Sequence, residues 1–340
     1  MSDNLTSLGM TDEEYRENNE VLPLGTILAD VKERRESMQS VDVELGCMSV
    51  DGNILTADGH EWRYTDLLPN YLNLPTKYFA ELPTELRNSN LSYWLGQMSD
   101  KVLRITFDGT DIIDIDDPTR PLITIEDLLL TAEKRMMPLA SVYHVYTDGG
   151  GTWVDITNRS LVEYSFGGKW QGGIRVVQKR NRGTVYAPRL FPYLRSIESS
   201  AYITFPEVER ITMRGLSTDE VLDQFDRKID ETLGMLAEGE HPFKEVWDKT
   251  AQHPARIAER VLKEHKLHNK AFVTLRQMTD DLSLTRRLTS GDMVRILASH
   301  TAEGHFNEAT KRVLAASAGS YFLGEAEQHR CPTCLQRLDV

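Results

Sequence analysis

Cysteine is scarce in this chain, with three among 340 residues. Cys47 stands alone, and Cys331 and Cys334 form a C-x-x-C close to the end. So few thiols suit a reducing cytosol and exclude a fold built on a disulfide framework. Long apolar runs are missing as well, and none approaches the roughly 20 residues of a membrane helix. The opening MSDNLTSLGMTDEEYRENNE is polar and acidic, without the apolar core of a secretory signal. The phosphate-loop pattern G-x-x-x-x-G-K-[ST] does not occur, and no glycine-rich piece follows the strand–glycine–helix order of a dinucleotide site. No G-x-S-x-G is present and Cys47 has no evident base beside it, so nothing here supports nucleophilic catalysis.

Acid is missing from one stretch of an otherwise acidic protein. The formal net charge is −13, yet residues 164–197 carry seven basic residues and no Asp or Glu. On either side, residues 1–163 hold 29 acidic against 13 basic residues, and residues 198–340 hold 23 against 19. The basic stretch reads YSFGGKWQGGIRVVQKRNRGTVYAPRLFPYLRSI. Its cations alternate with aromatics, which is what binding of single-stranded nucleic acid asks for: charges to follow phosphates and rings to stack on bases. The candidate phosphate contacts are Lys169, Arg175, Lys179, Arg180, Arg182 and Arg189, and the candidate stacking rings are Trp170 and Tyr186. The competing expectation is a basic hairpin that packs on the acidic part of its own chain or of a neighbouring subunit.

Hydrophobic residues at 40% and charged residues at 27% are proportions of a soluble globular protein with a sizeable core. Residues 1–20 read as a mobile acidic tail. A short helix is expected over Ile27–Met38, and a hairpin over Val41–Leu55 around Asp51-Gly52-Asn53. Three short helices follow, TDLLPNYL, TKYFAEL and one from Pro83, with Tyr71, Tyr78, Phe79, Tyr93 and Trp94 expected in the core. Val102–Ile115 predicts a hairpin turning at Asp108-Gly109, and IEDLLLTAEKRM a helix opened by Thr124 or Ile125. Strands continue from Ser141 to Ala187. Then Ser217-x-x-Glu220 announces a long amphipathic helix, residues 254–278 read as basic helices, and two more lie within 290–323, capped by Ser290 or Asp292. The expected class is α+β, an antiparallel hairpin-rich sheet with helices, followed by a mostly helical C-terminal part. The divisions are 1–20, a core over 21–205, a helical region over 206–325 and a tail over 326–340.

The run LLPNYLNLPTKYFAELPTELRNSNLSYWL, followed by VLRITF, resembles the "phage/plasmid-like" family of unknown function. Leu74, Pro75, Tyr78, Leu82, Pro83, Leu86, Asn90, Leu91, Leu95, Leu103 and Arg104 match its pattern. The resemblance spans about residues 60–325. It departs at Lys179–Arg182, where the family has Asn-Ser-Glu, and at Glu198–Ala201, where it has Cys-x-Asn-Gly. The resemblance implies a phage or plasmid origin and the cytoplasm of a host cell, and carries no established activity.

Two other constellations could hold a metal. Asp108, Asp111, Asp114, Asp116 and Asp117 could bind Mg²⁺ for phosphodiester cleavage, although neighbouring positions on a strand face opposite sides and no second acidic motif accompanies them. His329, Cys331 and Cys334 form half a structural zinc site, which His300 or His305 could complete. No other cofactor is expected. The leading expectation is a non-enzymatic, homo-oligomeric protein that binds or anneals single-stranded DNA. Its alternatives are an oligomeric assembly protein, a metal-dependent nuclease and an acidic inhibitor of a host factor.

Overall fold

The structure, a computed structural model, describes residues 22–136, 140–148, 151–158, 163–164, 168–181, 184–199, 201–207, 210–251, 277, 287–302 and 306–323. The expectations for residues 1–20, for nearly all of 254–278 and for His329, Cys331 and Cys334 fall outside these residues. The class is α+β, with three antiparallel sheets and helices that dominate the C-terminal part.

One packed unit lies between residues 38 and 116. Strands β3 (Ser49–Asp51), β4 (Ile54–Ala57) and β5 (His60–Arg63) form one small sheet. Strands β2 (Met38–Glu44), β6 (Val102–Asp108) and β7 (Asp111–Asp116) form another. The hairpin expected over Val41–Leu55 is therefore only half present. β3 and β4 turn at Gly52, whose φ of +58° suits glycine, whereas β2 pairs with β6, more than fifty residues away. Helices α2 (Leu67–Tyr71), α3 (Thr76–Glu81) and α4 (Thr84–Gln97) accompany these sheets. Trp62, Phe79, Leu91, Leu95, Leu103 and Ile105 sit in the shared core. Phe79 is buried as expected, but Tyr78, Tyr93 and Trp94 are exposed. Helical spacing turns Leu91 and Leu95 inward and carries Tyr93 round to another side of α4.

The main sheet runs β1 (Leu22–Pro23), β8 (Ala140–Asp148), β9 (Gly151–Asn158), β11 (Trp170–Asn181), β13 (Arg189–Ser196), β14 (Tyr202–Thr204). Two short strands, β10 (Glu163–Tyr164) and β12 (Thr184–Val185), also pair with β11. The basic stretch thus supplies the central strand. Strand alternation sends Ile174 and Val176 of β11, with Val154 and Ile156 of β9, to one face. There they meet α1 (Leu24–Ser37), α5 (Ile125–Met136) and α6 (Thr218–Glu238) through Leu28, Leu128 and Phe225.

Three of the described helices start where side chains satisfy free backbone donors. Ser217 and Glu220 form the expected capping box on α6, with Glu220 Oε2 accepting from the Ser217 N–H at 2.7 Å. Thr124 and Asp127 exchange the same bonds at the start of α5. On α8 (Ser290–Ser299) the cap is Thr289, paired with Asp292, one residue before the expected Ser290. α7 (Glu240–Asp248), α8 and α9 (Glu308–Phe322) pack around Phe205, Phe243, Trp247 and Phe322, together with Trp170 and Leu194 of the main sheet.

α9 approaches β14 backbone to backbone at Gly319, where a Cβ would fall on the Thr204 carbonyl oxygen, far inside van der Waals contact. Gly319→Ala is expected to lower stability by about 1–3 kcal/mol. Urea unfolding should show an earlier midpoint with an unchanged slope.

Candidate functional site

Two of the side chains expected to contact nucleic acid are interior. Arg175 is 3% exposed and lies opposite Asp155 on β9, which is 0% exposed. Its Nε donates to Asp155 Oδ1 at 2.5 Å and its Nη2 to Oδ2 at 2.7 Å, a two-pronged pair. Its guanidinium also lies 4.7 Å from the ring centre of Tyr202 and 5.4 Å from that of Tyr193. Burial alone would lower its pKa, but the Asp155 carboxylate and its hydrogen bonds reverse this and raise it above the ordinary value. Burial pushes the Tyr193 and Tyr202 phenols up. Tyr193, Tyr202 and Ala315 of α9 pack together, and Arg312 of α9 lies 3.9 Å from the Trp153 ring centre. α9 therefore covers this second face of the sheet. Arg175 is an internal ion-pair partner rather than a phosphate ligand. Trp170 is a core residue, 4% exposed and set edge-on to Trp247, rather than a stacking platform.

The remaining candidates lie toward the ends of β11. Lys169 and Lys179 are exposed and Tyr186 is 48% exposed. The Tyr186 N–H donates to the Lys179 carbonyl at 3.0 Å, so this cation and ring share one end of a hairpin. That hairpin joins β11 to β12 through Arg180↔Val185 and Asn181↔Thr184. The Arg180 side chain and all of Arg182 fall outside the described residues. Arg189 is half-buried, with Nε donating to Glu207 Oε2 at 2.9 Å and its guanidinium 4.7 Å from the Phe191 ring centre.

β12 lies against β7, the strand with the aspartates. A bulge there pairs Phe107 with Ile112 but Thr106 with Asp114, leaving Ile113 extra. Alternation puts Asp114 and Asp116 on one face, and the bulge before them turns that face away from the core side of Ile105, Phe107, Ile112 and Ile115. Both are 5% exposed. Asp108 and Asp111 are exposed at the hairpin end. Among the described residues no group of three His, Cys, Asp or Glu side chains is placed to hold a metal. His300, a suggested zinc ligand, is fully buried with its ring edge-on to Phe306.

Asp116 and Asp117 also line a cavity with Tyr71, Leu72, Asn73, Met98, Lys101 and Arg120. None of these last six was a candidate site residue in the sequence, where Tyr71 was expected only in the core. Burial is the main cause that pushes the Asp116 carboxyl up to about 6; Asp114 and Asp117 add to it, while the Asp117 N–H and Arg120 oppose it. Two hydrogen bonds from Thr119 hold Asp117 below its ordinary value. No described helix is long and apolar enough to cross a membrane. The chain matches no protein-family model, no curated protein and no solved structure.

Arg175→Ala, which leaves Asp155 charged and buried, is expected to cost about 3–5 kcal/mol in denaturant titrations without nucleic acid. Arg175→Lys should lose less, because it keeps the charge but not the fork. For Asp116, a native pKa above the unfolded one means that stability falls as pH rises from about 4 to about 6. Asp116→Asn should therefore be more stable than the parent by about 1–2 kcal/mol at pH 7 and no more stable at pH 4, read from thermal unfolding.

Proposed function

We propose that the protein binds single-stranded nucleic acid at the β11–β12 hairpin. Lys179, Arg180 and Arg182 meet phosphates there, Tyr186 stacks on a base, and Lys169 adds a more distant contact. The observation that carries this is the exposed Lys179–Tyr186 end, a cation and a ring joined by one backbone hydrogen bond. Support also comes from the sequence, which gathers Lys179, Arg180 and Arg182 within four residues of an acidic chain. Arg175 and Trp170 take no part. Strand annealing, homo-oligomerisation, a phage or plasmid origin and a place in the host cytoplasm belong to the same proposal.

A second reading has its own observation. β12 rests on β7, so a basic hairpin meets a strand with buried carboxylates. On this reading the hairpin is a strap that holds acidic elements together, within the chain or between subunits of an assembly. It draws support from Arg175–Asp155 and Arg189–Glu207, where cations of the same stretch already pair with acids elsewhere.

Fluorescence anisotropy with labelled single- and double-stranded oligonucleotides over a series of salt concentrations separates the two. Nucleic-acid binding predicts preference for the single strand and a log–log salt slope of about −2 for three phosphate contacts. Lys179→Ala, Arg180→Ala and Arg182→Ala together should remove most of the affinity and leave the melting temperature unchanged. Undiminished affinity in the triple variant overturns the proposal. Loss of stability in that variant, with no oligonucleotide binding by the parent at low salt, favours the strap.

A further inference from the structure

Three connections meet around the cavity of about 270 Å³ at the end of β7. The end of α2 and the turn after it bring Tyr71, Leu72 and Asn73; the turn between α4 and β6 brings Met98 and Lys101; the loop after β7 brings Asp117 and Arg120. Asp116, the last residue of β7, forms part of the wall and is 5% exposed. The loop is already shaped. Asp117 accepts from the Thr119 N–H at 2.9 Å and hydroxyl at 2.7 Å, and Arg104 donates to the carbonyls of Pro118 and Arg120 at 2.9 and 3.1 Å. Asn73 sits at φ +59°, a left-handed conformation that Asn tolerates better than most residues.

The charges of this cavity are opposite in sign and yet not joined. Asp116 accepts a hydrogen bond from the Asp117 N–H at 2.8 Å, which comes from its own loop. Among the described residues neither the Lys101 ammonium nor the Arg120 guanidinium makes an ion pair. Two cations and two carboxylates thus line one small space with capacity left over on both sides. A simple cation entering it would meet Lys101 and Arg120, and a simple anion would meet Asp116 and Asp117. A ligand with both charges complements both pairs. At roughly 30 Å³ per water, the space holds about nine water-sized groups, the size of a small amino acid. Leu72, Met98 and the Tyr71 ring supply apolar wall for its carbon atoms.

We propose that this cavity binds a small zwitterion of the amino-acid class, its ammonium group against Asp116 and Asp117 and its carboxylate against Arg120 and Lys101. The charged groups that act on Asp116 are Asp114 on its own strand and Asp117 and Arg120 on the following loop, with the Tyr71 phenol feeling Asp116, Asp117 and Arg120. Asp116 must be ionised to hold the ammonium group, so binding strengthens as pH rises through about 6.

Isothermal titration calorimetry and thermal shift test this with glycine, alanine, serine and 4-aminobutyrate, and with methylamine and propionate as singly charged controls. At least one of the four zwitterions should bind at millimolar concentration and raise the melting temperature, and neither control should. Affinity should fall about tenfold from pH 7 to pH 5, as Asp116 takes up its proton. Asp116→Asn and Arg120→Gln should each weaken binding at least tenfold. Arg120 is exposed, so its variant keeps the test decisive if the other misfolds. Absence of binding by all four zwitterions, equal binding of a singly charged control, or full affinity in Arg120→Gln overturns the proposal. None of these results bears on the oligonucleotide measurements, which concern the hairpin.

Discussion

The pair between Arg175 and Asp155 sits at the middle of the main sheet, and much of the fold is arranged so that it can be buried. An isolated charge in that position would be costly to remove from water. The two-pronged geometry, the flanking rings of Tyr193 and Tyr202, and the cover of α9 together keep both charges paired. The same strand presents Ile174 and Val176 to α1, α5 and α6. β11 therefore carries an apolar core on one face and an ionic one on the other. That two-sidedness requires helices on both sides of the sheet.

Charge complementarity recurs at several places where separate parts of the chain meet. Arg135 at the end of α5 donates to Asp226 at 2.7 Å and reaches Asp230 at 3.0 Å, fastening α5 to α6. Arg189 reaches Glu207, Arg104 reaches Asp42, and β12 rests on the aspartate-bearing β7. A chain with a net charge of −13 uses several of its few cations in this way. The exposed pairs add little individually, whereas the buried one is costly to break.

Local order was largely legible. The turn at Asp108-Gly109, the strands β8 and β9, the α5 span and the capping box of α6 all follow from turn chemistry, alternation and caps, which act over a few residues. Longer-range pairing was not. β2 reads as the first arm of a hairpin, yet it joins β6 because that strand buries Val43 among Leu103, Ile105 and Leu95. In the basic stretch the legible sign was Asp155, a single acid within the apolar run Trp153-Val154-Asp155-Ile156. An acid in a strand buried on both faces calls for a cation, and β11 supplies it.

The amino-acid sequence by itself determined the α+β class, most element positions and the place of the basic stretch. These depend on backbone propensities and on periodicity, both properties of neighbouring residues. Only the tertiary structure decided which charges face protein and which face water. Arg175 and Lys179 are alike in composition and four positions apart, yet one is 3% exposed and the other lies at the surface. Their difference comes from Tyr193, Tyr202 and α9, which cover the Arg175 side chain at the middle of β11, while the Lys179 side chain near the end of the strand stays exposed. The cavity beside Asp116 belongs to the same class of outcome, since three connections distant in sequence had to converge before its charges shared one space.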